Sequence, residues 1–135
     1  MRSLNALVGV VLRSPARRLL SGVDLVRYSG RRSGRVVTTP TQYARRGDDV
    51  VIAVARPESK TWWRNFVEEG ALELFLDGRW VPYRARAVRG DREPDVAAAL
   101  LQTYLDCFPK AAKAFAGTTD EQRLRLAVLV WCRPR

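Results

Sequence analysis

Apolar residues recur at helical spacing near the beginning of the chain. These positions are Leu4, Leu7, Val8, Val11 and Leu12. They predict an amphipathic helix, which Ser14-Pro15 is expected to end or kink because the residue before a proline disfavours helical geometry. We expect the helix to resume over residues 16–20 and to cap a β-barrel. The alternative is a basic helix lying on a membrane surface, since arginines flank it.

A second helical pattern occupies the last third of the chain. It is expected to begin at Pro94, because proline suits the first helical position, and to reach about Cys107. Pro109 predicts the start of a shorter helix that reaches about Ala116. Thr118 begins a capping-box pattern, which predicts one more helical turn.

Six shorter stretches are rich in β-branched residues or alternate between apolar and polar residues, which predicts strands. They span residues 23–28, 35–44, 50–55, 72–76, 79–88 and 126–132. Asp77-Gly78 is a two-residue hairpin signal. Pro40 cannot donate to a strand ladder, so it marks an edge, a bulge or a break that faces a ligand. Because the early connections are hairpin-like, the order favours an antiparallel barrel with helices gathered at one end.

A basic turn that two glycines punctuate precedes the second predicted strand. Residues 29–40 read Ser-Gly-Arg-Arg-Ser-Gly-Arg-Val-Val-Thr-Thr-Pro. The glycines permit left-handed backbone angles and a close approach by a ligand. Arg31, Arg32 and Ser33 offer guanidinium groups and a hydroxyl, a combination suited to a phosphate. The alternative is a solvated hairpin turn that is basic without binding anything.

A second candidate anion site lies where residues 56–61 lead into Trp62-Trp63-Arg64-Asn65. A serine or threonine there is expected to cap a helix that reaches about Glu69, and the free N–H groups of a helix start attract anions. Arg56 and Lys60 add positive charge. Neighbouring helical positions point in different directions, so one tryptophan is expected to line a pocket. The alternative is that both tryptophans only pack.

Composition narrows the classes of partner. The chain has 135 residues, of which 47% are hydrophobic, so we expect a single domain over residues 1–135. Its net charge of +10 favours a nucleic acid, an acidic membrane surface or a polyanionic small molecule. Cys107 and Cys132 are predicted to be reduced core thiols of a cytoplasmic protein. The apolar run near the beginning is too short to span a bilayer.

Catalytic motifs are missing from the sequence. Histidine is absent, which removes the usual general base and the commonest metal ligand. There is no Ser/His/Asp set, no Cys/His pair, no Gly-x-Gly-x-x-Gly and no cluster of metal ligands. We therefore predict no metal site and assign no catalytic residue. If the protein is an enzyme, a bound cofactor must carry the chemistry.

Several motifs of the chain resemble those of the flavin/deazaflavin oxidoreductases. They are Gly30-Arg31-Arg32-Ser33-Gly34, Thr38-Thr39-Pro40, Gly47-Asp48 and Trp62-Trp63-Arg64-Asn65. The sequence is most similar to the deazaflavin-dependent nitroreductase branch, and the resemblance runs from Arg13 to the last strand. It implies an α+β fold, a split antiparallel β-barrel of about six strands with capping helices, related to pyridoxamine-phosphate oxidases.

The resemblance also implies a cofactor, coenzyme F-420, an 8-hydroxy-5-deazaflavin with a phosphate and a polyglutamate tail. The phosphate would lie on the turn, the ring along the second strand, and residues 56–65 would close the phosphate and tail side. The cofactor-binding residues that it implies are Arg31, Arg32, Ser33, Arg35, Thr39, Pro40, Arg56, Lys60, Thr61, Trp63 and Asn65. The reaction would be hydride transfer to a small electrophilic acceptor such as a quinone, an enone or a nitro compound.

Two positions depart from the family's pattern. Many members have an arginine where this chain has Val37, so one cofactor contact is expected either to be missing or to be replaced by Arg35. Nitro-reducing members place tyrosines near the substrate after the late helix, whereas residues 108–115 contain none. This difference argues against nitro reduction.

Other ligands and partners are alternatives. Relatives on this barrel also bind flavin mononucleotide (FMN) or pigments. A basic nucleic-acid-binding module is a further alternative, since aromatic residues can stack on bases. The arginines concentrate in turns rather than on one aromatic strand face, so no nucleic-acid partner is expected. A homodimer and a peripheral membrane contact through the first helix are also consistent with the sequence.

Overall fold

The computed structural model describes residues 23–114 and 119–135. In this part of the chain the strands are β1 (Val23–Ser29), β2 (Val36–Arg46), β3 (Asp49–Ala53), β4 (Gly70–Leu76), β5 (Arg79–Arg89) and β6 (Val128–Pro134). The α-helices are α1 (Pro94–Cys107) and α2 (Asp120–Leu126), and the 3-10 helices are Pro57–Ser59, Trp62–Phe66 and Pro109–Ala114. The predicted first helix, over residues 4–20, lies outside the described residues.

The strands close into an antiparallel barrel in the order β1-β2-β3-β6-β5-β4, with β4 pairing back to β1. β2 changes neighbours along its length, because residues 36–42 pair with β1 and residues 43–46 pair with β3. Pro40 lies in the first part, where no described strand pairs with the other edge of β2. The predicted split antiparallel barrel is confirmed, and the proline lies at an edge, where proline is tolerated.

Alternating side chains fill the interior of the barrel. On β5, Tyr83, Ala85 and Ala87 are buried in this core, whereas Arg84 between them is exposed. Phe66 joins the interior from the Trp62–Phe66 3-10 helix, and it is only 2% exposed. The burial pattern of β5 thus follows the period of two that is typical of a strand.

A second cluster packs α1 against the outside of the barrel. It is formed by Val51, Val88, Ala97, Leu100, Leu101, Ala127 and Leu129. Gly90 directly follows β5, and a Cβ added there would lie 1.6 Å from the carbonyl oxygen of Leu124. Only glycine therefore lets α2 approach the end of β5 this closely.

Several predicted boundaries were wrong. The predicted helix reaching Glu69 is a five-residue 3-10 helix, Trp62–Phe66, and Gly70 begins β4 instead of ending that helix. Arg56 has φ 51° and ψ 62°, in the left-handed region, and Lys60 is extended, so two short 3-10 helices stand where one helix was expected.

The end of the chain also differs from the prediction. The last α-helix is capped by Thr119, whose Oγ1 accepts a hydrogen bond from the N–H of Gln122, and not by Thr118. Because α2 continues to Leu126, the final strand begins two residues later than predicted, at Val128. Cys132 is buried as predicted, but Cys107 is exposed, since it lies at the end of α1 and at the border of its apolar side.

Candidate cofactor-binding site

The turn between β1 and β2 is held by three internal hydrogen bonds. The N–H of Gly30 donates to the carbonyl of Arg35, and the N–H of Gly34 donates to the carbonyl of Gly30, both at 2.8 Å. The N–H of Arg35 donates to Ser33 Oγ at 3.2 Å. Gly34 has φ 69°, and a Cβ at Gly30 would lie 2.9 Å from Ser33 Oγ. Gly34 is therefore favoured by its left-handed angle, and a side chain at Gly30 would displace the Ser33 hydroxyl.

The turn contacts the 62–66 helix through one side chain. Asn65 Oδ1 accepts a hydrogen bond from the N–H of Arg31 at 2.8 Å. Asn65 Nδ2 donates to the carbonyl of Trp62, also at 2.8 Å. The two stretches that the sequence marked as candidate anion sites are thus brought together, although 34 positions separate the bonded residues.

A cavity of about 430 Å³ opens where the turn meets this helix. It is lined by Gly30, Arg31, Arg32, Ser33, Thr61, Arg64 and Asn65. Five of these were predicted site residues. Arg64 was assigned no role from the sequence, although it lies three positions after Thr61, a spacing that places two residues on the same side of a short helix.

Other predicted residues lie on the rims of this region. Arg35 is exposed at the end of the turn, and Arg56 and Lys60 are exposed beside the Pro57–Ser59 helix. Trp63 is buried, and its Nε1 donates to the carbonyl of Pro57 at 2.9 Å. The structure therefore does not place this side chain in the cavity of the turn. Trp63 instead lines a different cavity, of about 470 Å³, so the prediction that one tryptophan lines a pocket is confirmed.

Thr39 and Pro40 are half-buried on β2, next to the turn. Thr39 is paired with Val26, which belongs to the barrel interior, and Pro40 is paired with Leu25. Consecutive side chains of a strand point to opposite faces. The two residues therefore offer different faces of β2.

The basic side chains around the cavity have no acidic partner among the described residues. These side chains are Arg31, Arg32, Arg35, Arg56, Lys60 and Arg64. The backbone N–H groups of Arg32 and Ser33 also donate to no described residue. Unpaired guanidinium groups, a hydroxyl and two backbone donors form a donor set that fits a phosphate or a carboxylate.

A separate cavity of about 550 Å³ lies at the end of α1. It is lined by Gln42, Cys107, Phe108, Pro109, Lys110 and Ala111. Tyr104 donates its hydroxyl proton to Gln42 Oε1 at 2.9 Å, and its ring lies 5.1 Å from that of Phe108. An apolar cavity that carries an amide and an amine can receive a flat molecule with polar edges.

The sequence of residues 8–129 matches the model of the F420H(2)-dependent quinone reductase family. The chain belongs to this family. It is an oxidoreductase that uses coenzyme F-420, as the motifs of the turn and of the 62–66 helix had indicated. The donor set on the turn fits the phosphate of this cofactor.

Several solved structures share the fold of this reductase. A structure described as an F420-H2 dependent reductase (FDR-A) has a TM-score of 0.62 at 14% identity, and the match covers 84% of this chain and 95% of that one. A domain-swapped dimer has a TM-score of 0.61 at 13% identity, over 93% of this chain and 98% of that one. At these identities the likeness shows the fold alone. No curated protein is significantly similar in sequence.

Within residues 23–114 and 119–135, no helix combines the length and the apolar character that crossing a bilayer requires.

Proposed function

We propose that the turn cavity binds the phosphate of coenzyme F-420. The observation that carries this proposal is the acid-free donor set where the turn meets the 62–66 helix. Arg31, Arg32 and Arg64 supply guanidinium groups, and Ser33 supplies a hydroxyl whose oxygen already accepts the N–H of Arg35 and whose proton remains available. When bound, reduced F-420 supplies a hydride.

The remaining predicted residues are assigned by their position. Thr39 and Pro40 lie on the part of β2 that has one free edge, so they are proposed to contact the ring system. Arg35, Arg56 and Lys60 are proposed to attract the charged tail, since they are exposed and unpaired and lie near the cavity. Exposed cations of this kind mainly increase the rate at which an anion associates, and they contribute less to its final position.

The acceptor is proposed to be a quinone that binds in the cavity at the end of α1. Gln42 follows Pro40 by two positions on β2, so the two side chains share one face of the strand. Gln42 and Lys110 can donate to carbonyl oxygens, and Phe108 offers an aromatic surface. Reduced F-420 should therefore be oxidised faster by a naphthoquinone than by a nitroaromatic compound, as followed by its absorbance. Equal rates would contradict this choice of acceptor.

A side-by-side titration with F-420 and FMN, read by fluorescence, tests the cofactor site. We expect F-420 to bind and Arg32→Glu to abolish binding, because the substitution places an anion against the phosphate. Arg46→Glu is the matched control: it makes the same charge change at an exposed position of β2 outside the cavity, and it should retain binding. Binding of FMN in preference to F-420 would favour the flavin alternative.

A homodimer, a peripheral membrane contact and a cytoplasmic location stay predictions. The dimer has one support, the neighbouring structure described as a domain-swapped dimer. Analytical ultracentrifugation of the full chain tests it, and a single monomer species at micromolar concentration would count against it. Flotation of the full chain with anionic liposomes tests the membrane contact.

A further inference from the structure

We propose that Asn65 is a positioning residue that fixes the 30–34 turn in its phosphate-binding shape. This inference rests on the proposed function of the turn cavity. It differs from the simpler assignment of Asn65 as a direct cofactor contact, because the structure shows what both ends of its amide already bind.

The amide of Asn65 is engaged at both ends within the protein. Its oxygen accepts the N–H of Arg31, and its nitrogen donates to the carbonyl of Trp62. If the amide were reversed, its NH₂ group would face the N–H of Arg31, and its oxygen would face the carbonyl oxygen of Trp62. The two bonds therefore specify one orientation of the side chain.

Apart from Asn65, little connects the turn to other parts of the described structure. Residues 31–35 are all exposed, and no other hydrogen bond joins them to a described residue outside the turn. Asn65 itself is half-buried, on a helix whose Phe66 is fixed in the barrel core. The asparagine thus connects an exposed turn to a rigid part of the molecule.

The position of the Asn65–Arg31 hydrogen bond explains how it would favour cofactor binding. Asn65 occupies the N–H of Arg31, the first of three consecutive backbone donors, and those of Arg32 and Ser33 remain without a described partner. A turn that is ordered before binding loses less conformational entropy when the anion arrives. Asn65 is therefore expected to raise affinity without contributing to the chemical step.

The test compares Asn65→Leu, which preserves the size of the side chain but not its hydrogen bonds, with wild-type full-length protein. Without ligand, amide hydrogen exchange followed by NMR should show faster exchange at Arg31 in the variant. Asn65→Asp, which retains an acceptor, should restore slow exchange there. With F-420, Asn65→Leu should bind about tenfold more weakly, the size expected for loss of one such hydrogen bond. In steady-state assays its KM for reduced F-420 should rise at unchanged kcat.

Gln102→Leu is the matched control. It also removes an amide, one that bonds Asp106 on the exposed side of α1, and it should change neither exchange at Arg31 nor F-420 affinity. If Asn65→Leu fails to fold, Asn65→Ala provides the same comparison.

Unchanged exchange at Arg31 in Asn65→Leu would overturn the proposal, and weaker F-420 binding alongside it would make Asn65 a direct contact. Faster exchange in a protein whose wild type binds no F-420 would instead refute the proposed function and leave the role of Asn65 in the turn intact.

Discussion

Arginines occupy two different environments in this reductase. On the outside of the barrel several are paired with acids: Arg27 lies 3.0 Å from Glu73, and Arg133 lies 3.0 Å from Glu69. Arg27 also stacks on Trp80, with 3.9 Å between its guanidinium carbon and the ring centroid. Around the turn, no described acid approaches any of the arginines that line the cavity.

This difference indicates where an anionic ligand binds, which the net charge alone cannot do. A charge of +10 favours an anionic partner without saying where it binds. Ion pairs offset the charge of several arginines on the barrel face, whereas no described acid offsets the charge of the arginines around the turn. The same residue type is therefore structural in one region and available for binding in the other.

The largest expected effect comes from removing two unpaired arginines together. Arg32→Ala combined with Arg64→Ala should weaken F-420 binding about a thousandfold, because each charge-assisted contact contributes about 1.5–3 kcal/mol. Arg27→Ala combined with Arg133→Ala removes the same charge from the barrel face and should change affinity less than about threefold, since that charge is already paired. Fluorescence titrations measure both. Similar losses in the two double variants would remove the distinction between the regions.

The next largest effect is expected at Asp24, a buried carboxyl group of β1. Thr41 donates its hydroxyl proton to Asp24 Oδ1, while Oδ2 has no described partner. Burial raises the pKa of Asp24 to about 7, although Arg45 opposes the shift. The folded protein therefore keeps a proton that the unfolded chain releases, so stability falls as pH rises from about 4 through 7.

From pH 5 to pH 8, Asp24 should cost the wild type about 3 kcal/mol of unfolding free energy. Asp24→Asn lacks this titrating group. Its free energy of unfolding, measured with urea, should therefore fall correspondingly less between pH 5 and pH 8. Identical pH dependence in the two proteins would show that the pKa of Asp24 is not raised.

The smallest effect is expected from a substitution on the outside of the barrel. Arg27→Gln removes the ion pair with Glu73 and the stacking on Trp80, and it should lower the unfolding free energy by about 1 kcal/mol, because both contacts are partly exposed. Its F-420 affinity should equal that of the wild type. A loss of affinity without a loss of stability would mean that this face also binds the cofactor.

The sequence was sufficient for most of the fold, because the alternation of apolar and polar residues along a strand indicates which side chains are buried. It predicted six strands and an antiparallel barrel, and it gave an edge as one of three explanations of Pro40. It failed before Gly70, where a capping serine or threonine suggested one helix that reaches about Glu69. The extended Lys60 instead separates two short 3-10 helices, and Trp63 and Phe66 of the second one are buried.

The site was predictable only in part. The glycines and arginines of the turn are adjacent in sequence, so their shared chemistry could be read directly. The joining of the turn to the 62–66 helix depends on Asn65, a contact across 34 positions that no local pattern reveals. Arg64 was missed for the same reason, because only the folded chain shows which side of that helix faces the cavity.

The central claim is that the unpaired donors of the turn bind the phosphate of F-420. The most direct test is to titrate the wild-type protein with F-420 and with the corresponding deazaflavin that lacks the phosphate and the tail. We predict that the truncated compound binds at least about a hundredfold more weakly, since it loses charge-assisted contacts of about 1.5–3 kcal/mol each. Equal affinity for the two compounds would contradict the account.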